Sequence, residues 1–96
     1  MQHCILVKFN DSVLDKDALC TEIEAFFAPA PQRIPGVTAV ALRRCVIDRP
    51  NRYDLLIRLE MEKAALPAFD ASAIHNGWKE TYGPRLAQKA IFDYED

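Results

Sequence analysis

Only two histidines occur in the sequence, His3 and His75, and imidazoles are the side chains best suited to move a proton near neutral pH. His75 falls in the stretch AFDASAIHNGW, Ala68 to Trp78, beside a tryptophan and among small and apolar residues. There it could act as a base, ligate a metal, or be a buried polar group that the fold satisfies. Neither HxH nor HxxxH spacing is present, so no metal is expected. Cys4, Cys20 and Cys45 are odd in number and far apart, with no CxxC pair. They read as reduced, mostly buried thiols of a cytoplasmic protein, not as a disulfide framework or zinc site. Arg43, Arg44, Arg49 and Arg52 cluster in sequence. They suit solvated loop charges or dimer contacts, with an anionic-substrate site as the alternative.

The 96 residues suffice for one domain, residues 1–96, with no room for a second core. A domain of this size buries only about 60–65% of its unfolded surface, so a lone copy would be marginal. Half the residues are hydrophobic, which favours an oligomer. The net charge of −2, spread without blocks, is a poor match for nucleic acid or an anionic membrane surface. The opening apolar run is far too short for a signal sequence or a membrane span.

The elements that must position these side chains follow from periodicity. QHCILVKF, Gln2 to Phe9, reads as a strand with His3, Ile5, Val7 and Phe9 on one face and Cys4 and Leu6 on the other. Apolar residues on both faces imply a central strand covered on both sides. A helix follows, with Asp15 as N-cap and Leu19, Ile23, Phe26 and Phe27 along its inner stripe, stopped by Pro29 and Pro31. A Pro-Gly turn precedes a second strand, about Val37 to Cys45, and YDLLIRLEM alternates as a third. Pro67 sets the start of a short helix at about Lys63 to Ala65. His75, Trp78 and Tyr82 then form a helical stripe that ends at Gly83-Pro84. QKAIFDYE closes the chain as a strand, with Lys89, Ile91 and Asp93 on one face.

The order β-α-β-β-α-β is that of the ferredoxin-like α+β fold: a four-stranded antiparallel sheet with helices on one face. The bare face needs a cover, and the sheet of a second copy would supply one, giving a homodimer. The aromatic group Phe69, Trp78 and Tyr82 is expected to pack in the core, or to line an apolar pocket with His75 at its polar end.

QHCILVKF, IPGV, RYDLLIRLEM, AFDASAIHNGW and AIFDYE, in that order, resemble the stress-responsive A/B barrel (Dabb) family over essentially the whole chain. The resemblance implies a dimeric α+β barrel. It extends to plant polyketide cyclases of the olivetolic acid cyclase type, which close linear polyketides by aldol condensation. On that likeness His75 stands at the catalytic histidine, Asp93 at the aspartate that pairs with it, and His3 at a pocket-lining position beside Ile5. Phe69 stands where those cyclases carry a tyrosine, and a phenyl ring cannot donate to a developing oxyanion. The expected function is a small-molecule-binding protein of this family, taking an apolar or carbonyl-bearing ligand into a pocket lined by His3, Ile5, Phe69, Trp78 and Tyr82. The alternative is a cofactor-independent enzyme, a cyclase-like lyase or isomerase or a quinol-monooxygenase-like protein, using His75 as general acid/base oriented by Asp93. No cofactor is expected under either.

Overall fold

The computed structural model describes all residues from Met1 to Asp96. Strand β1 (Gln2–Phe9) is followed by helix α1 (Lys16–Phe27), a single turn α2 (Ala30–Arg33) and strands β2 (Val37–Arg44) and β3 (Leu55–Met61). A 3-10 turn (Lys63–Ala65) leads into helix α3 (Leu66–Asp70), then α4 (Ala73–Tyr82), a second 3-10 turn (Gly83–Arg85) and strand β4 (Leu86–Tyr94). The strands form one antiparallel sheet in the order β2-β3-β1-β4. This is the expected ferredoxin-like α+β architecture, with β1 central and β4 at an edge.

Local chemistry accounts for the element ends. Asp15 caps α1, its Oδ1 accepting the Ala18 N–H at 3.0 Å. Ser72 caps α4 in the same way, through the His75 N–H at 3.1 Å. The prolines after α1 do not end helical structure outright. Pro31 sits in the first turn of α2, where its missing N–H leaves no bond unmade. Strand β2 stops at Arg44, one residue short of the expected Cys45. Asp54, just before β3, accepts the Phe9 N–H at 2.8 Å and the Lys16 ammonium at 3.0 Å, tying the end of β1 to the start of α1.

The core lies between the helices and one face of the sheet. Ile5, Val7 and Phe9 of β1 and Leu55, Ile57 and Leu59 of β3 meet Leu19, Ile23 and Phe27 of α1 and Trp78 and Tyr82 of α4. Burial of each large apolar side chain contributes about 1.5–3 kcal/mol. Phe26, expected in that stripe, is only half-buried at the margin. The helices cover β1 and β3 but leave the edge strand β4 bare, so Ile91 is half exposed although it points to the helix side. On the opposite face Phe92 is 63% exposed, and no element covers the sheet there.

Candidate functional site

The β1–β4 register sets His3 directly opposite Asp93, so the two side chains stand side by side on the helix face of the sheet. His3 Nδ1 hydrogen-bonds Asp93 Oδ1. A carboxylate has only acceptor oxygens, so Nδ1 is the donor and the neutral ring keeps a bare Nε2. His3 is buried, whereas the Asp93 side chain is 37% exposed. Nε2 has no hydrogen-bond partner, yet no sealed side-chain nitrogen or oxygen in the protein lacks one. The imidazole therefore keeps a water-accessible lone pair.

Phe69 joins this pair to the second histidine. Its fully buried ring lies edge-on to His3, with centroids 5.3 Å apart, and tilted against His75 at 4.9 Å. His75 sits in the first turn of α4, and its Nδ1 donates back to the Asp70 carbonyl at 3.0 Å. Ser72 holds this corner by donating to the Phe69 carbonyl at 2.6 Å while accepting from the His75 N–H.

The expected His75–Asp93 pair is thus corrected: Asp93 bonds His3, His75 bonds Asp70, and Phe69 lies against both imidazoles. The cause is register. Asp93 is the direct cross-strand neighbour of residue 3, whereas His75 is anchored to its own helix corner. The residues expected to line a pocket lie in the packed interior. Ile5, Phe69, Trp78 and Tyr82 are all buried and form part of the packed core. Trp78 lies tilted against Phe27, with centroids 5.3 Å apart, and against Tyr82 at 5.6 Å. None of the five principal clefts is lined by His3, Ile5, Phe69, His75, Trp78 or Tyr82.

The remaining chemical groups are dispersed. Burial raises the pKa of the Cys4 and Cys20 thiols and of the Tyr82 phenol. Cys4 and Cys20 are buried and Cys45 is exposed, in keeping with mostly buried thiols. Arg43, Arg44 and Arg52 line a cleft of about 330 Å³ at one end of the sheet. Arg44 pairs with Asp17 at 3.6 Å. No three His, Cys, Asp or Glu side chains converge to hold a metal ion.

Patterning alone missed the His3–Asp93 pairing and the bridging place of Phe69. The signal was present in part: the alternation that groups His3 with Ile5 and Val7 also groups Asp93 with Ile91 and Lys89.

No protein-family model matches the chain, and no curated protein matches it in sequence. Solved structures do. A dimeric protein of unknown function with a ferredoxin-like fold from Bacteroides fragilis aligns over 99% of this chain and 94% of its own, with TM-score 0.81 and 14% identity. A Dabb family protein with a ferredoxin-like fold from Mesorhizobium loti aligns over 99% and 94%, with TM-score 0.66 and 15% identity. A hydroxynitrile lyase from Passiflora edulis aligns over 97% and 89%, with TM-score 0.75 and 12% identity. At these identities the likeness is one of fold. The sheet order, the helices on one face and these neighbours together give the chain the ferredoxin-like α+β fold, which it shares with a Dabb family protein.

Proposed function

We propose that the protein works as a homodimer and binds a small carbonyl-bearing molecule beside the His3–Asp93 pair, at the helix side of edge strand β4. The observation that carries this reading is the orientation of His3. Its Nδ1 is held by a half-exposed carboxylate while its Nε2 stays reachable by water. Such a pair can take a proton from carbon or oxygen next to a carbonyl, with Asp93 stabilising the imidazolium, and return it to the product. With Phe69 and Trp78 sealed inside, the ligand lies at the rim, where half-exposed Ile91 offers an apolar floor. His75 stands behind Phe69 and supports that ring.

The proton-transferring form of this reading is a cofactor-independent lyase or isomerase. The Passiflora edulis neighbour, a hydroxynitrile lyase, supports it to the extent that the same fold carries a lyase there. The homodimer draws support from the uncovered face around Phe92 and from the neighbour described as dimeric. Three unpaired thiols suit a cytoplasmic setting, and no helix is long and apolar enough to cross a membrane.

The test is an amide-shift titration of the ¹⁵N-labelled protein with 2,4-pentanedione and with benzaldehyde. Shifts should concentrate at His3, Ile91 and Asp93 and be lost in His3→Gln. Shifts that survive in a folded His3→Gln variant, or that gather elsewhere, would overturn the assignment. Oxygen uptake with a dihydroxynaphthalene would favour the monooxygenase reading instead.

A further inference from the structure

The cleft of about 330 Å³ at the end of the sheet is basic at its rim and apolar at its floor. The register places Arg43, Leu56 and Leu6 in one cross-strand row of the open face, and all three line the cleft. Arg44 joins them from the end of β2, and Arg52 and Tyr53 from the connection to β3. No carboxylate lines it. Arg44 is already engaged, by Asp17 at 3.6 Å and by the Thr21 hydroxyl at 2.6 Å. Arg43 and Arg52 have no ion-pair partner within the chain. Arg43 Nη1 donates to the Leu42 carbonyl at 2.9 Å, and Arg52 Nη1 to Asn51 Oδ1 at 2.7 Å. A guanidinium carries five N–H donors, so both keep most of theirs free.

The connection that presents Arg52 is tied down at several points. The Arg52 N–H donates to the Arg49 carbonyl at 3.0 Å, the Cys45 N–H to the Asp54 carbonyl at 3.0 Å, and the Asp54 N–H to the Val7 carbonyl at 2.8 Å. Lys8 reaches across to the Pro50 carbonyl and adds a further positive charge to this end. A site already held in shape loses less freedom when its ligand binds. The planar fork of a guanidinium matches a carboxylate or a phosphate. The floor chooses between them: a bare inorganic anion would leave Leu6 and Leu56 wet, whereas a carboxylate with an apolar body would cover both. We infer that this cleft binds a medium-chain or arylalkyl carboxylate, its anionic head held by Arg43 and Arg52 and its apolar body lying over Leu6 and Leu56. The His3–Asp93 pair stands on the opposite face of the sheet, so this second site does not rest on the reading proposed for the first.

Titration of the ¹⁵N-labelled whole chain with octanoate tests the assignment, with octanamide, acetate and inorganic phosphate as comparisons. Octanoate should give saturable amide shifts at Leu6, Arg52, Tyr53 and Leu56. Octanamide, which has the chain without the charge, should bind about tenfold or more weakly. Acetate, which has the charge without the chain, should lose at least as much. Arg43→Gln with Arg52→Gln should weaken octanoate by about tenfold or more, and its melting shows that the fold is retained. Octanamide binding as tightly as octanoate, or a folded double variant that binds octanoate unchanged, would overturn the role of the arginines and with it the site. Phosphate binding more tightly than octanoate would overturn the ligand class. Octanoate shifts that never saturate, or that gather away from this cleft, would overturn the inference outright.

Discussion

At the residue scale, the site turns on which acceptor each imidazole finds: the Asp93 carboxylate for His3 and the Asp70 backbone carbonyl for His75. Both histidines were legible as candidates from their type alone, and His3 could be placed on the helix face from the alternation of its strand. Its partner could not, because a side chain's neighbour across a sheet depends on register and not on spacing along the chain. Phe69 was legible as an aromatic near His75, but its contact with His3 depends on how the short helix α3 packs over β1. Burial at this scale also has a pH consequence. Cys4, Cys20 and Tyr82 are held protonated to higher pH by desolvation, and Lys16 by its hydrogen bond to Asp54. In each case the folded chain keeps its proton longer than the unfolded chain. The stability of the fold should therefore be intact below about pH 8 and fall as pH rises through the thiol range near about 8.5 and the phenol and ammonium range near about 10. Urea unfolding at a series of pH values checks this, and stability that is flat or rising over that range would contradict it.

At the element scale, most of the architecture could be read in advance because each periodic segment has a single way to bury its apolar side. The alternation of Leu55, Ile57, Leu59 and Met61 turns those four residues to the core, and Leu19, Ile23 and Phe27 turn α1 onto them. What could not be read was how far the helices reach. They stop short of β4, and that leaves Ile91 and Asp93 open to solvent beside the closed helix-side faces of β1 and β3. Likewise, the extra turn α2 depends on packing against β2 and has no periodic signal of its own. Gly36 is the joint that the sequence did announce, through Pro-Gly before β2. It has φ +89°, and a Cβ there would come within 2.6 Å of the Ala65 Cβ. Gly36→Ala should thus cost at least about 1–3 kcal/mol, through the left-handed backbone and the collision together. Urea denaturation should find it, and a change below about 0.5 kcal/mol, the range of neutral surface substitutions, would show that the turn relaxes freely.

At the scale of the whole molecule, the candidate site exists because the two ends of the chain lie side by side. Strand β1 opens the sequence and β4 closes it, and their antiparallel pairing runs from Gln2 opposite Tyr94 to Phe9 opposite Leu86. The same pairing sets the His3–Asp93 pair on the helix side and the row of Cys4 and Phe92 on the open side. A slip of one residue would turn Asp93 to the open face and unpair His3. The most direct measurement is the ring ¹⁵N spectrum of the two histidines in the wild type and in Asp93→Asn. The His3 ring resonances should move on substitution while those of His75, bonded to the Asp70 carbonyl, stay in place. A His75 ring that responds to Asp93→Asn while His3 does not would contradict the pairing and the site built on it.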